Sequence, residues 1–373
     1  MSPLRHRDFR LLLIATVAMM SGFSLLLPVL PLWVIAGGGS EAVAGATTGV
    51  FMASTVLAQL TVPTAVRLYG YKPALLLGTG LLGVPALLLP VTESALAVLA
   101  ISLARGVGFG LVTVCGSALI AELLPKDALA GGSGLYGLAT GLPQLVCLPA
   151  GAWLAQDWGF RPVFLIAAGL PVASMIGVAL LPRVFPRDGE RTRWLSTVAL
   201  TWRPWVVMLL GSVGYGALAT FLPVVLGGSG AIALLLVAGT AMVGRWLAGL
   251  VGSRMTAAGR MLPPALVTVA VGLLGFAAAT ANAPLAILAV AVFGAGFGVV
   301  QNDSLVVMFH RSPAGAASMV WNVAFDAGQG LGAVAVGAVV AGTSFGVAFA
   351  ILGALAVAAL PLLRRPRRAS GLG

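Results

Sequence analysis

Charge is scarce in this chain: 8% of its 373 residues are Asp, Glu, Lys or Arg, while 60% are apolar. A soluble domain carries about 25% charged residues. In water, a chain this apolar would expose more greasy surface than a soluble monomer tolerates, so a lipid bilayer is the solvent that fits. Cysteine is scarcer still. Cys115 and Cys147 each lie in an apolar run, which excludes a disulfide framework and a Cys-rich metal site. Histidine occurs twice, His6 in the N-terminal tail and His310 far along the chain. There is no His-Glu-x-x-His run, no Gly-x-Ser-x-Gly elbow and no phosphate-cradling loop ending in Gly-Lys-Ser/Thr. An enzyme and an ATP-driven pump are therefore poor fits, and no metal or cofactor is expected. The net charge of +11 comes without a Lys/Arg block interleaved with aromatics, so nucleic acid is not an expected partner.

What the chain does have is long apolar runs. A helical span needs about 20 apolar residues to cross the hydrocarbon, and twelve such runs are predicted, at 10–34, 43–66, 73–91, 95–121, 131–156, 162–182, 204–227, 231–253, 262–281, 285–309, 315–341 and 344–363. The breaks between them carry Gly, Pro, Ser or charge, as in "GGGSE", "PKD" and "HRSP". If the N-terminus is cytoplasmic and the spans alternate, nearly all Lys and Arg fall on the cytoplasmic side and Arg161 alone falls outside, with Arg105 and Arg245 within spans. This is the positive-inside pattern, and it explains the basic charge. The expected location is the bacterial plasma (inner) membrane, multi-pass, with both termini cytoplasmic. The longest break, 183–203, is Arg-rich and predicts a cytoplasmic linker between an N-terminal six-helix bundle (1–182) and a C-terminal one (204–373).

The two halves echo each other. "LLPVL" from Leu26 matches "FLPVV" from Phe221, "GFG" at Gly108 matches "GFG" at Gly296, and Phe160 matches Phe345, at offsets of 195, 188 and 185 residues. Together they point to a duplicated six-helix unit, a common plan for secondary transporters.

Twelve spans, a duplicated half, a basic central loop and inside termini resemble the major facilitator superfamily over essentially the whole chain. The loop after span two, "VPTAVRLYGYK", keeps Arg67, Gly70 and Lys72 of the family signature, with Val66 where its acid belongs. The second-half copy, "GRWLAGLVGSRMTAAGR", keeps Gly249, Arg254, Gly259 and Arg260, with Ser253 in the acid's place. "LARGVGFG" around Arg105 and the glycines and proline of "GLATGLPQLVCLPAG" are similar to spans four and five of the twelve-span bacterial drug–proton antiporters. The resemblance implies an all-α membrane protein of two pseudo-symmetric bundles, working as a monomer. It would export a small amphiphilic or drug-like molecule against protons by alternating access, with Arg67, Lys72 and Arg254 at the gate; Arg245, nearer the cytoplasmic end of its span, is expected to serve the gate or packing.

Two acids lie well inside apolar runs, Asp303 and Asp326. A carboxylate near the bilayer centre costs ~2.5–3.5 kcal/mol even on lenient scales, so it must face a cavity or a partner. Both are candidates for proton coupling. His310, seven residues after Asp303, is a candidate relay on the same helix face. Asn322, Asp326 and Gln329 form a polar stripe beside the aromatic pair Trp321 and Phe325, and Tyr136 and Gln144 share a face of span five. These residues, with Arg105, Gln301 and Asn302, form the expected substrate-binding set, with Gln301, Asn302 and Asp303 lining the cleft together. Two rival functions are proton-driven import of a small nutrient or anion, with Arg105 holding the anion, and a membrane receptor or scaffold that transports nothing.

Overall fold

In the computed structural model, residues 3–92, 94–125, 128–186, 194–252 and 258–363 are described. Among them the chain is a succession of helices: α1 (Arg7–Ala36), α2 (Glu41–Tyr69), α3 (Tyr71–Gly83, extended in a 3-10 turn to Val91), α4 (Ala95–Leu123), α5 (Leu129–Asp157), α6 (Phe160–Ala179), α7 (Trp194–Leu226), α8 (Gly230–Gly252), α9 (Leu262–Ala278), α10 (Ala283–Phe309), α11 (Ala314–Val340) and α12 (Phe345–Ala358). Ten stretches are long and apolar enough to cross a membrane. One of them, of 58 residues, holds both α7 and α8, and α9 is a shorter apolar helix. The twelve helices thus correspond to the twelve predicted spans.

Helix fits both the sequence and its solvent. In hydrocarbon each amide must bond within its own segment, and side-chain caps start the helices where the apolar runs begin. The hydroxyl oxygens of Ser40 and Ser344 accept from the amides of Val43 (3.4 Å) and Val347 (3.3 Å), and Asn282 Oδ1 accepts from Leu285 N (3.2 Å). Of the expected linker, residues 187–193 lie outside the described residues. Its last part is already helical, joined to the body of α7 across a non-helical Thr201 (φ −119°, ψ 16°).

The helices alternate direction, so the turns α2–α3, α4–α5, α8–α9 and α10–α11 share one face with the start of α1. This is the near face, where the connection from α6 to α7 also lies; the remaining turns lie on the far face. The first six helices pack among themselves, as do the last six. Between the halves run the pairs α2 with α11, α5 with α8 and α1 with α7. Toward the far face the α2–α11 seam closes to backbone contact: a Cβ on Gly45 would collide with the carbonyl oxygen of Ala333, and one on Gly337 with that of Glu41. Thr48 and Thr220 share a hydrogen bond across the halves (3.2 Å), and Gln156 Nε2 donates to the carbonyl of Gly227 (3.1 Å). Elsewhere large apolar side chains face outward, among them Ile176, Leu288 and Val271, as a lipid-facing surface requires.

Candidate functional site: a cavity between the two halves

The separation between the halves toward the near face is a cavity of about 590 Å³. Its walls are the near-face parts of α4, α5, α8, α10 and α11, with Met20 of α1 and Tyr215 of α7 deeper in. None of α3, α6, α9 or α12 lines it, in keeping with their nearly featureless sequences.

Several expected residues meet there: Tyr136 and Gln144 on α5, Arg245 on α8, Gln301 on α10, and Trp321, Asn322, Phe325 and Asp326 on α11. Asp326 is 4% exposed and Gln59 of α2 is 1% exposed. Gln59 Nε2 donates to Asp326 Oδ2 at 2.7 Å and lies 3.3 Å from the Thr113 hydroxyl of α4. This short bond ties the first half to the second at the depth where the cavity ends. Asn322 donates to the Ser318 carbonyl on its own helix (2.9 Å). Gln329, one turn beyond Asp326 and 2% exposed, has an amide nitrogen without a partner among the described residues.

The second-half wall is aromatic. Trp321 and Phe325 lie 5.6 Å apart with planes 8° from parallel, and Phe325 and Phe297 lie 6.2 Å apart at 10°. Tyr215 stacks on Phe297 behind them (5.1 Å). Trp321 is fixed by an indole N–H donated to the Ser304 hydroxyl (3.1 Å), and the Arg245 guanidinium lies 5.7 Å from the Trp321 ring centre while Nη1 donates to Gln301 Oε1 (3.3 Å).

Other expected residues sit elsewhere. Gln301, Asn302 and Asp303 do not face the cleft together: consecutive helical residues point about 100° apart. Asn302 turns toward Gly249 of α8. Asp303, 3% exposed, faces the α8–α9 turn, where Oδ1 accepts from Gly259 N (3.1 Å) and Oδ2 from Met261 N (3.0 Å). Gly259 has φ +83°, a conformation open to glycine at little cost. His310 is exposed, and its Nδ1 lies 2.8 Å from the Val306 carbonyl of its own helix.

Arg105, expected in the cleft, is instead packed inside the first half. Its Nε donates to the Leu82 carbonyl of α3 (3.1 Å) and its guanidinium lies 5.5 Å from the Phe51 ring centre. It borders a void of about 10 Å³, room for one water. Phe23 lines that void, and Phe109, which lines the large cavity, stacks on Phe23 (4.2 Å). Rings therefore stand between Arg105 and the cleft. At the near face, exposed Arg67 donates through Nε to the Pro63 carbonyl of its own helix (3.2 Å), and Lys72 is half-buried at the start of α3. Arg254 lies outside the described residues.

The sequence reading missed Thr113, Tyr215 and Ser318 as cavity residues; Gln59 shares a polar face of span two with Thr48 and Thr55, which fits a cleft-facing helix, but its pairing with Asp326 is not readable from that face. Phe109, Thr113 and Ser117 recur every four residues on α4, and that spacing was a signal for Thr113. Tyr215 offered none beyond its chemistry.

Comparison with known proteins places this architecture. The sequence model of the Major Facilitator Superfamily matches residues 12–333. The inner membrane transport protein YdhP of Escherichia coli O157:H7 is 32% identical over 281 residues, covering 70% of this chain and 69% of that protein. The "probable multidrug-efflux transporter Rv1634" of Mycobacterium tuberculosis (strain ATCC 25618 / H37Rv) is 30% identical over 147 residues, or 38% of this chain and 31% of that one. In fold, the partially occluded inward-open xylose transporter XylE from E. coli superposes with a TM-score of 0.76 at 13% identity, covering 96% of this chain and 97% of that one. The chain belongs to the Major Facilitator Superfamily. It is a multi-pass membrane transporter of small molecules rather than an enzyme.

Proposed function

We propose that this protein exports a small amphiphilic molecule across the bacterial inner membrane in exchange for protons, by rocking its two six-helix halves about the cavity. The observation that carries the reading is Asp326, a buried carboxylate in the cavity wall, bonded to Gln59 of the opposite half. The near face takes the cytoplasmic side, because Arg5, Arg7, Arg10, Arg67, Lys72, Arg183, Arg203, Arg260 and Arg311 gather there while Arg161 sits on the far face. The cavity then lies toward the cytoplasm, and the α2–α11 seam is the closed outer gate. The inner-membrane location and the exported cargo draw support from the names of the E. coli and M. tuberculosis relatives.

The proposed cycle follows from the Gln59–Asp326 bond. With no substrate, the carboxylate accepts from Gln59 and helps hold the outer seam shut. A substrate donor group that takes over Asp326 releases that tie, and the outer side can open. A proton arriving from outside neutralises Asp326 and favours substrate release and return. Deprotonation toward the cytoplasm restores the binding state. One proton moving inward contributes ~2.3 kcal/mol per 100 mV, plus the pH term. Asp303 takes a different role here, as the group that holds the α8–α9 turn.

Proteoliposome flux under an imposed pH gradient, with the gradient run in each direction, tests this reading. Substrate movement against the proton flow is the expected result. Movement with the proton would replace export by import, and absence of gradient-dependent flux would remove proton coupling.

A further inference from the structure

Arg245 is a cation on the cavity wall. Its side chain hydrogen-bonds to neutral Gln301 and stacks on Trp321, and no carboxylate among the described residues pairs with it. The facing wall brings Ser133, Tyr136, Thr140 and Gln144, all uncharged. An arginine locking the two halves through an ion pair would need a carboxylate there. The guanidinium is also held in place. Trp321 donates to Ser304, the Ser304 hydroxyl donates to the Gln301 carbonyl (3.3 Å), and the Gln301 side chain accepts from Arg245, so α8, α10 and α11 close a ring of contacts around it. A guanidinium has five N–H donors in a planar fork that matches carboxylate, sulfonate or phosphate oxygens. Here Gln301 engages Nη1.

Beside this corner the near-parallel rings of Trp321 and Phe325 line the cavity, backed by the buried ring of Phe297, and offer a flat ring an aromatic surface to pack against. Asp326 lies five residues beyond Trp321, ~7.5 Å further along α11 by helix rise.

We propose that Arg245, with Gln301 and Trp321, is the subsite for an anionic group of the transported molecule. The substrate class is a flat aromatic acid, with a hydrogen-bond donor at its other end reaching Asp326. This rests on the transport reading above and narrows it: a purely cationic amphiphile would leave the guanidinium uncompensated.

Three isosteric probes test it on the full-length protein in phosphatidylcholine nanodiscs: 2-naphthoate, its neutral twin 2-naphthamide, and the cationic 2-naphthylmethylammonium. By titration calorimetry the native protein is expected to bind naphthoate about tenfold or more tighter than naphthamide. Arg245→Gln is expected to abolish that preference, weakening naphthoate far more than naphthamide, and Arg245→Lys, with charge but no planar fork, retains part of it. Preference of the native protein for the neutral or cationic probe, or binding of none of the three, overturns the assignment. So does an equal loss of all probes in Arg245→Gln, which would mark Arg245 as structural. Displacement of naphthoate by phosphatidylglycerol in the discs would assign the corner to a lipid headgroup and also overturn it. All these readouts are binding, so failure of proton-driven flux, which would sink the transport reading, is separately visible.

Discussion

The two six-helix halves share a plan and divide its chemistry unequally. In the first half the buried charge, Arg105, turns inward to a carbonyl of its own bundle. The wall this half gives the cavity is uncharged, its polar groups including Thr113, Tyr136 and Gln144 among apolar ones such as Phe109 and Leu145. In the second half Arg245 and Asp326 both stand on the wall. The near-face turns differ in the same way. Gly70 and Gly259 have almost the same φ, +82° and +83°. Beside the first, the amide of Tyr71 is taken by the Val184 carbonyl (3.0 Å). Around the second, two amides are taken by Asp303. At the 188-residue offset of the GFG repeat, the counterpart of Asp303 is Cys115. Duplication has thus preserved backbone geometry, which apolar packing dictates, while charge has concentrated in one copy. A neutral first-half wall facing a charged second-half wall lets the second half set ligand chemistry and the first half report occupancy through Gln59.

The sharpest way to break this comparison is to neutralise the second-half carboxylate. Asp326→Asn keeps shape and a hydrogen-bonding group but cannot release a proton. Gradient-driven flux in proteoliposomes is expected to fall about a hundredfold, the size of losing ~2.7 kcal/mol of coupling, while the protein still purifies as a folded species. Retained driven flux would remove Asp326 from the coupling role.

The other acid should behave oppositely. Asp303→Ala strips acceptors from two amides in a half-buried turn, at a cost of about 1–3 kcal/mol. The melting temperature in detergent is expected to drop by several degrees, with driven flux per folded molecule within about twofold of native. Loss of coupling without loss of stability would show that Asp303 acts in proton transfer after all, and that the two acids are not divided as argued.

Gln59 is the first half's link to this charge. Gln59→Leu leaves a buried carboxylate without its donor, an effect of about 1–3 kcal/mol. Because the far-face seam loses a tie, substrate-free proton leak is expected to rise about fivefold or more in vesicles loaded with a pH dye. Combined with Asp326→Asn the two effects should be far from additive, as for any pair in direct contact. Additive behaviour would mean that the 2.7 Å bond does not couple the halves.

The fold was legible in the sequence because a bilayer leaves the backbone one choice. Apolar run length sets span count, and Lys/Arg placement predicts a sidedness. The site was less so. Asp326 and Trp321 could be singled out from their stripe, since a polar line on an apolar helix has few places to go. Asp303 carried the same signal of an acid in an apolar run, yet its partners are backbone amides of a turn more than 40 residues away in sequence. Nothing in residue type announces a backbone acceptor. Arg105 and Arg245 looked alike for the same reason. Which of them faces the cavity depends on three phenylalanines, Phe23, Phe51 and Phe109, stacking between α1, α2 and α4. That is a packing outcome beyond the reach of periodicity.

The smallest expected effect sharpens the comparison from the neutral side. Tyr136 lines the cavity from α5, with its hydroxyl packed over Gly116 of α4, where a Cβ would collide with it. If the first half supplies shape and polarity without charge, Tyr136→Phe should cost no more than a typical hydrogen bond, ~0.5–1.5 kcal/mol, or about two- to tenfold in KM, with the proton-to-substrate ratio unchanged. Gly116→Ala reaches the same spot from the other side, pushing the ring into the cavity, and should raise KM without touching the ratio. A change in stoichiometry in either variant would place part of the proton path on α4 and α5, and the two halves would then share the charge chemistry rather than divide it.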